Sequence, residues 1–308
     1  MKTNEEQILV AIKCVVYNHE PYLRDCLEGF AMQKTNFRFV AVVHDDSSTD
    51  HSAEIIREYV VKYPDIFRPI YETENQYSKR DGSLRRIMNE AIDATGAKYI
   101  AMCEGDDYWT DPYKLQKQVD FLESHPECSV TFHRYDILQQ EEQKWRNDRC
   151  GVYLNPEQSF VDLTIQMYFA EWVTQPCTIM YRNGVYLGQD KPYHGYKDQH
   201  MIFHLLEAGK GYILNFKGAV YREHKGGIHG RTPILSQAHL AVQVAQELYE
   251  YNDKIDVLKD NLIRTLDWAI TCEKQNKDGK CGHLLLYAWR RFTISKSLLK
   301  SIKRLLQK

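Results

Sequence analysis

The sequence predicts an α/β fold, with an open, mostly parallel sheet of Rossmann type flanked by helices and a helical region at the C-terminal end. Two observations lead to this prediction. Over residues 8–126, apolar runs of strand length alternate with segments of helical periodicity, and the connections between them are short. This alternation is typical of a parallel sheet with right-handed crossovers. From residue 235 onwards the pattern is helical, which predicts a helical appendage after the sheet.

Each strand of the predicted sheet is an apolar run that ends in a polar loop. Strands are predicted at 8–16, 37–43 and 98–103, with a shorter apolar segment at 66–71. The intervening helices each carry apolar residues at helical spacing. These residues are Leu23, Cys26, Leu27 and Phe30, then Ile55, Ile56, Tyr59, Val60 and Tyr63, then Ile87, Met88, Ala91 and Ile92, and finally Leu115, Val119 and Leu122.

The second half of the chain has a different pattern. Its predicted strands are 128–133, 173–181, 211–214 and 219–222, and a helix is predicted to begin at Asp198 and end at Gly209. The polar segment 139–149 is expected to be exposed. Helical segments follow at 235–274 and from His283 to the end. We therefore divide the chain into an α/β domain, residues 1–232, and a helical C-terminal region, residues 233–308.

Composition narrows the class of protein. A chain of 308 residues can bury a sizeable core, and its net charge of −2 gives no reason to expect a nucleic-acid partner. None of the eight cysteines forms a CxxC pair, so we expect reduced thiols in a cytosolic protein rather than disulfides or a cysteine zinc site. We expect neither a signal peptide nor a membrane-spanning helix, because no apolar run is long enough.

Three polar loops follow three of the predicted parallel strands. They are residues 17–20, 44–50 and 104–109. Because ligands of open α/β sheets bind at the carboxyl ends of the strands, we expect these loops to converge on one crevice. No GxGxxG motif and no Walker P-loop is present, so neither a dinucleotide site nor an NTPase site is indicated.

The third loop, Glu104-Gly105-Asp106-Asp107-Tyr108-Trp109, concentrates negative charge. Three carboxylates within four residues repel one another, and a divalent cation would offset that repulsion. Asp106 and Asp107 offer the hard oxygen ligands that Mg²⁺ or Mn²⁺ prefers, together with substrate phosphates and water. The alternative is a solvated acidic loop. Trp109 can either stack on a bound ligand or pack in the core.

The second loop contains a further pair of carboxylates, Asp45 and Asp46. Either side chain could accept a hydrogen bond from a nucleobase N–H group or from a ribose hydroxyl. The alternative for Asp45 is a structural role, in which the carboxylate caps a helix or supports the loop, and we expect such a role for one of the two.

Four motifs in this order resemble family 2 glycosyltransferases of the GT-A fold. They are Val16-Tyr17-Asn18, His44-Asp45-Asp46-Ser47-Ser48-Thr49-Asp50, Glu104-Gly105-Asp106-Asp107-Tyr108-Trp109 and Tyr221-Arg222-Glu223-His224. The resemblance covers residues 8–230. One motif departs from the family, because Val15-Val16 stand where Pro-Thr is usual.

The resemblance implies a nucleotide-sugar donor, most often a UDP-sugar, and a Mn²⁺ or Mg²⁺ cofactor. Asp46 would then bind the base, with Asp45 in the same nucleotide-sugar site, and Tyr17 and Asn18 would line the base pocket. Asp106 would face the ribose and share the metal with Asp107, which would be its main ligand. His224 would be a metal or phosphate contact; the alternative is a loop histidine bonded to the backbone.

The resemblance also implies an inverting reaction with an aspartate as general base. The matching residue is Asp198, at the start of a predicted helix, where a carboxylate can take the proton of the acceptor hydroxyl. The alternative for Asp198 is a plain helix N-cap, although a helix start that follows a loop also projects into the crevice.

The resulting hypothesis is an inverting, metal-dependent glycosyltransferase that acts on a glycan or lipid-linked acceptor in surface polysaccharide synthesis. A second hypothesis keeps the fold without the reaction, as a nucleotide-sugar-binding subunit of a glycan-assembly complex. A third, a nucleotidyltransferase, would need a Gly-rich basic loop after the first strand, and residues 17–21 are not such a loop.

The last helical segment, residues 283–308, is amphipathic and basic. No acidic residue follows Asp278, while seven lysines and arginines lie between Arg290 and Lys308. Such a segment is typical of a peripheral contact with a membrane surface. The alternative is an ordinary packed helix with a solvated basic face. We expect a cytoplasmic protein in either case, at the inner face of the membrane if the contact exists.

Overall fold

The structure is a computed structural model that describes residues 7–171, 173–276 and 283–295, except for the side chains of residues 228 and 229. Its strands belong to one sheet. They are β1 Ile8–Val16, β2 Arg38–Asp45, β3 Phe67–Tyr71, β4 Tyr99–Met102, β5 Tyr108–Trp109, β6 Cys128–Gln139, β7 Lys144–Asn147, β8 Phe160–Leu163, β9 Met180–Arg182 and β10 Lys210–Glu223.

Helices connect these strands and continue beyond them. They are α1 Glu20–Ala31, α2 Ser52–Lys62, α3 Gln76–Lys79, α4 Ser83–Asp93, α5 Lys114–Ser124, α6 Ile165–Ala170, α7 Asp198–Ala208, α8 Ile228–Arg231, α9 Ile234–Tyr251, α10 Asp256–Gln275 and α11 Leu284–Ser295.

The sheet has the order β3-β2-β1-β4-β9-β6-β10-β5, with β7 beside β6 and β8 also beside β10. Strands β1 to β4 pair in parallel, and so do β6 and β10. Strand β9 is antiparallel to both of its neighbours and joins these two parts. The predicted α/β fold with a mostly parallel sheet is therefore confirmed.

Burial explains why the central strands are continuous apolar runs. Val10, Ala11, Ile12 and Cys14 of β1 have no exposed surface, which is expected when helices cover both faces of a parallel sheet. Most residues of the predicted apolar faces of the flanking helices are buried, as Phe30 of α1 illustrates, and the others are partly buried.

The prediction of a strand over 173–181 is wrong for most of that range. A 3₁₀ turn occupies Pro176–Thr178, and the strand β9 begins only at Met180. The reason is Pro176, which has no N–H group to donate to a sheet neighbour and suits the first position of a helical turn.

Two of the predicted strands, 211–214 and 219–222, are one long strand, β10. Its pairing with β6 shifts register between Leu214 and Lys217 and again between Lys217 and Ala219, so the polar residues between the apolar runs are irregularities within a strand. The expected exposed segment after Gln139 includes the short strand β7, whose four residues are all exposed.

The helical C-terminal region has its own small core. Ala238 and Val242 of α9, Leu266 and Ile270 of α10 and Tyr287 of α11 pack together in a cluster separate from the main core. The break predicted at 278–280 and the last part of the predicted basic helix, residues 296–308, lie outside the described residues. Within the described ranges, no helix combines the length and the apolar character needed to cross a membrane.

Candidate active site

The three polar loops meet at one edge of the sheet, as expected. Because β1 lies between β2 and β4, their carboxyl ends are neighbours. The backbone N–H of Asp46 donates to the carbonyl of Val16 at 2.9 Å, and the N–H of Gly105 donates to the carbonyl of Val15 at 3.1 Å. The first loop therefore lies between the other two.

Asn18 fixes the first loop to the second. It has a positive φ of 56°, which asparagine tolerates better than most residues. Its side-chain oxygen accepts a hydrogen bond from the Thr49 N–H at 2.7 Å, and its own N–H donates to the Ser48 hydroxyl at 2.9 Å. Tyr17, the neighbouring residue predicted to line a base pocket, is partly exposed at the same junction.

The two aspartates of the second loop have different partners. Asp46 is buried, and its two carboxylate oxygens accept hydrogen bonds from the backbone N–H groups of Gln76 (2.6 Å) and Tyr77 (3.0 Å) at the start of α3. Asp45 is also buried, but its Oδ1 accepts no hydrogen bond from any residue that the structure describes. Burial raises the pKa of Asp45. Oδ2 of Asp45 accepts one longer hydrogen bond, from the Ser48 N–H at 3.4 Å. The structural role that the sequence offered as the alternative for Asp45 thus suits Asp46 better.

A histidine that sequence reasoning missed faces the acidic turn. Nε2 of His19 lies 3.6 Å from Oδ2 of Asp106. The approach depends on Gly105, because a Cβ atom there would lie only 2.8 Å from Nδ1 of His19. Burial lowers the pKa of His19 against the opposing effect of Asp106, so the neutral imidazole predominates at pH 7. The only sequence signal was its place in the first polar loop.

His224 completes this side of the turn. Strand β10 pairs antiparallel with β5, so the end of β10 lies beside the acidic turn. There Nε2 of His224 lies 3.1 Å from Oδ2 of Asp106, and the ring packs 4.4 Å from the ring of Tyr22. Burial alone would raise the pKa of Asp106, but the contact with His224 and the nearby His19 outweigh it and lower the pKa.

Asp107 lies deeper than Asp106, with 2% of its surface exposed. Its Oδ1 accepts a hydrogen bond from the backbone N–H of Arg222 at 2.9 Å. Burial, reinforced by the charge of Asp106, raises the pKa of Asp107 well above its usual range. The guanidinium of Arg222 lies between the rings of Tyr22 and Tyr108, at 4.9 and 4.8 Å from their centroids, and orders the wall behind the two carboxylates.

The predicted metal ligands fit an open cation site better than a closed one. The structure brings Asp106 and His224 into contact, but the ligand atoms of Asp106, Asp107 and His224 do not all lie within 4.8 Å of one another. Mg²⁺ and Mn²⁺ commonly use one or two carboxylates and take the rest of their shell from phosphates and water. The side chain of Asp106 is 21% exposed and His224 lies beside it, which is compatible with such a coordination shell.

Asp198, from the second half of the chain, lies near the acidic turn. It is the exposed first residue of α7, and the N-cap residue is Lys197, so Asp198 is not the N-cap. Its charge reaches Lys13, which lies within β1, and Glu104, which follows β4. Burial raises the pKa of Glu104 to about 8, with further contributions from Asp106 and Asp198 and an opposing one from Lys13.

Lys13 is a second residue that sequence reasoning missed. It is the one charged side chain within the apolar strand β1, and this was the signal for it. Burial lowers the pKa of Lys13, while Glu104 and then Asp198 oppose that shift. Glu104, whose place in the acidic motif had no assigned function, therefore lies close enough to a lysine for their charges to interact.

A hydrogen bond connects helix α3 to the residue before α7. The ammonium of Lys197 donates to the hydroxyl of Tyr77 at 3.1 Å, across 120 positions of sequence. Tyr77 belongs to the short helix α3, whose first two N–H groups donate to Asp46, and Lys197 immediately precedes Asp198. The bond thus links α3, and through it the second loop, to the start of α7.

Trp109 is a packing residue. It is 2% exposed, its indole N–H donates to the Cys177 carbonyl at 2.9 Å, and the ammonium of Lys114 lies 3.9 Å from its ring centroid. A ring enclosed in this way is not available to stack on a sugar, so the core alternative is the correct one.

Solved structures with the same architecture define the class of fold. The chain superposes on Staphylococcus aureus TarS 1-349, solved in complex with UDP-GlcNAc, with a TM-score of 0.62 and 14% identity over 96% of this chain and 92% of that one. It also matches a mannosyltransferase from Pyrobaculum calidifontis, solved with GDP-Man and Mn²⁺, with a TM-score of 0.55 and 14% identity over 97% and 87% of the two chains. The fold is that of the GT-A glycosyltransferases.

The family follows from the sequence match. The model of glycosyl transferase family 2 matches residues 14–187, more than half of the chain. The chain belongs to glycosyl transferase family 2, as the four motifs predicted. An uncharacterised protein of Mycobacterium tuberculosis (strain ATCC 25618 / H37Rv) is 40% identical over 147 residues. That match covers 45% of this chain and 41% of the relative, so the chain spans about two fifths of the length of this relative.

Proposed function

We propose that this chain is an inverting glycosyltransferase that moves a sugar from a UDP-sugar donor, with Mn²⁺ or Mg²⁺, to a glycan or lipid-linked acceptor in surface polysaccharide synthesis. The observation that carries the proposal is the contact of Asp106 with His224 in an acidic turn whose Glu104 is close enough to Asp198 to be influenced by its charge. Family membership supports the reaction class, and the UDP-GlcNAc and GDP-Man in the two similar structures support a nucleotide-sugar donor.

The base of the donor is assigned to the crevice between the first two loops. Asp45 has a buried carboxylate oxygen without a described partner, which suits it to accept a hydrogen bond from a base N–H group. Tyr17 and Asn18 lie beside it. Asp46 has a supporting role next to this pocket, because both of its carboxylate oxygens accept hydrogen bonds from N–H groups at the start of α3.

The diphosphate is assigned to the acidic turn. Asp106 and His224 would hold the divalent cation, and Asp107 would support it from the buried side through its bond to the Arg222 N–H. When bound, the cation supplies Lewis-acid stabilisation of the departing diphosphate. The Mn²⁺ in the similar mannosyltransferase structure supports a divalent ion of this kind.

Asp198 is proposed as the general base. The acceptor hydroxyl gives its proton to the Asp198 carboxylate while its oxygen bonds to the anomeric carbon, and the bond from that carbon to the diphosphate oxygen breaks. Attack from the face opposite the leaving group inverts the anomeric centre. The ammonium of Lys13 lies close enough to influence Glu104 and Asp198, and so offsets part of the negative charge on the crevice floor.

A peripheral membrane contact through residues 283–308 fits a lipid-linked acceptor at the cytoplasmic face. In α11, Leu285, Leu286 and Trp289 are exposed by 77%, 43% and 63%. A patch of large apolar side chains followed by a basic sequence is what an anionic lipid surface binds.

One experiment separates this proposal from a nucleotide-sugar-binding subunit without activity. A panel of nucleotide sugars is screened for metal-dependent release of nucleoside diphosphate, with and without candidate acceptors. Asp198→Asn is expected to retain donor affinity and to lower transfer by at least about 100-fold, because a general base contributes roughly 10²–10⁴. Asp65→Asn is the matched control, because Asp65 is exposed and precedes β3, at the end of the strands opposite to the three loops.

Donor binding without turnover in the wild-type chain would favour the binding-subunit hypothesis. Equal transfer by wild type and Asp198→Asn would remove Asp198 as the base.

A further inference from the structure

A group of three potential metal ligands lies in the helical C-terminal region, away from the crevice. His239 belongs to α9, Glu273 to α10, and His283 immediately precedes α11. One ligand atom of each lies within 4.8 Å of the other two, and within the described residues this is the one group of three histidine, cysteine or acidic side chains that meets that condition.

The geometry of the group is close to that of a metal centre. Nε2 of His239 lies 2.8 Å and Nδ1 of His283 lies 3.5 Å from the same oxygen, Oε1 of Glu273. In a tetrahedral zinc site with bonds of about 2.0–2.1 Å, neighbouring ligand atoms lie about 3.3 Å apart. Small side-chain adjustments would therefore place all three atoms around one ion.

We propose that His239, Glu273 and His283 bind a divalent cation of the zinc type. Two imidazoles and one carboxylate form a ligand set that suits Zn²⁺ and, with similar geometry, Co²⁺. Mg²⁺ and Mn²⁺ favour oxygen ligands, so this group is chemically distinct from the acidic turn of the crevice.

Burial supports a bound cation at this place. The side chain of Glu273 is 1% exposed, whereas those of His239 and His283 are 31% and 51% exposed. Burial of the Glu273 carboxylate strengthens its attraction to a cation, because the effective dielectric constant inside the protein is lower than that of water. The exposed histidine edges leave a path for the ion and a position for a water molecule as fourth ligand.

Tyr287 orders the two imidazoles. Its ring lies 5.6 Å from that of His283 and 5.7 Å from that of His239, and it is 5% exposed in the small core of this region. Packing of this kind limits the orientations of the two rings, which lowers the cost of assembling a site. A hydrogen-bonded cluster of the two histidines and Glu273 without an ion is the competing explanation.

The consequence of a bound ion is a link between three helices. The contact between α9 and α10 does not depend on it, since apolar side chains of both helices pack together. Helix α11 has fewer buried apolar residues, and His283 lies directly before its first residue. An ion would fix the start of α11 to α9 and α10, and with it the orientation of the exposed Leu285 and Trp289.

The test is a zinc titration of the untagged, metal-free full chain against a chromophoric chelator. Because the acidic turn could also take up zinc, the titration is repeated in the Asp106→Asn background. One equivalent is expected to remain in that background. The affinity for this zinc ion should fall by at least about 100-fold in His283→Ala and in Glu273→Gln. Even substitutions of residues next to metal ligands lower metal affinity by about 10–100-fold.

His51→Ala is the matched control, because His51 contacts Glu20 at 2.9 Å as an exposed pair without a third ligand. It should leave the zinc affinity unchanged.

Co²⁺ provides a second measurement, with visible absorption bands that disappear in His283→Ala. Circular dichroism of the metal-free variants checks folding; if Glu273→Gln unfolds, the exposed His283→Ala decides alone. Equal zinc binding by wild type and His283→Ala, or no binding by wild type, would overturn the proposal in favour of a hydrogen-bonded cluster.

Discussion

Nε2 of His224 lies 3.1 Å from Oδ2 of Asp106, although 118 positions of sequence separate them. The contact exists because β10 runs beside β5 and ends level with the acidic turn. The same strand contributes the Arg222 N–H group to Asp107. One strand of the second half of the chain therefore supplies partners to both carboxylates of the turn.

The first prediction concerns the two roles of Asp107. Asp107→Ala removes the acceptor for the buried Arg222 N–H, which costs about 1–3 kcal/mol of unfolding free energy. It should also abolish metal-dependent release of UDP. Asp107→Asn keeps an oxygen acceptor, so it should retain most of the stability while losing metal-dependent activity. Urea denaturation and a UDP-release assay measure the two effects. Full activity in either variant would contradict the proposal that Asp107 supports the metal site.

The second prediction concerns the close approach at Gly105. A Cβ atom in Gly105→Ala would lie 2.8 Å from Nδ1 of His19 and 2.9 Å from Cγ2 of Val16, so the turn must move. Overpacking of this kind costs about 1–3 kcal/mol, and calorimetry should show donor affinity reduced by about tenfold. Gly195→Ala, where a Cβ would meet nothing within 4 Å, is the control and should bind the donor normally. Unchanged affinity in both variants would show that the turn tolerates the shift.

The third prediction concerns the buried ammonium of Lys114. This side chain has no exposed surface, and burial lowers its pKa to about 7. The unfolded chain, with a lysine pKa of about 10.4, binds this proton more strongly, so the stability contributed by Lys114 is lost as the pH falls from about 10.4 to about 7.

Lys114→Met should therefore raise the unfolding free energy by about 1–2 kcal/mol at pH 7, and the gain should shrink by pH 9.5. Urea denaturation at the two pH values measures it. Lys117→Met, at a partly exposed lysine that contacts Asp111, is the control and should show no such pH dependence. A gain of equal size at both pH values would rule out the charge of Lys114 as its cause.

The fourth prediction concerns His200 in α7. Burial lowers the pKa of His200 to about 3, although Glu247 lies 3.4 Å away, and its Nδ1 accepts a hydrogen bond from the Lys197 N–H at 3.0 Å. Because the folded pKa lies below the unfolded value of about 6.5, the contribution to stability is present above pH 6.5 and is lost as the pH falls towards 3.

Between pH 7 and pH 5, the unfolding free energy of the wild type should fall by up to about 2 kcal/mol more than that of His200→Gln. The buried His204, whose pKa burial lowers to about 4, is present in both proteins and cancels in the comparison. Parallel stability profiles of the two proteins would show that His200 is not the titrating group.

The fifth prediction concerns the exposed face of α11. Leu285→Ser with Trp289→Ser should lower binding to vesicles containing anionic lipid by at least about tenfold, because burial of each large apolar side chain is worth about 1.5–3 kcal/mol. Sedimentation with phosphatidylglycerol vesicles measures it. Val61→Ser, at a residue of α2 that is 82% exposed, is the control. Equal sedimentation of wild type and the double variant would refute the membrane contact.

Much of the fold and half of the crevice could be predicted from the sequence. The loops at 17–20, 44–50 and 104–109 follow parallel strands, and the shared edge of the sheet determines that they meet. The partners of these loops could not be predicted in the same way. Asp46 is held by backbone groups of α3, a four-residue helix some thirty positions later, and no local pattern encodes that contact.

The errors have local causes. Pro176 interrupts a run that otherwise has strand composition, and β10 continues through polar residues because register shifts accommodate them. Lys13 was overlooked because the apolar strand around it dominates the pattern. The group of His239, Glu273 and His283 depends on how three helices pack, which helical periodicity alone does not determine.

The dependence of the acidic turn on β10 has a consequence for the order of folding during synthesis. A ribosome delivers residues 8–109 long before residues 219–224, so the nascent chain contains Asp106 and Asp107 while their partners Arg222 and His224 are still unmade. The turn can reach its final arrangement only after most of the chain has emerged. A product truncated before β10 would thus carry all three loops of the crevice and still lack a competent site.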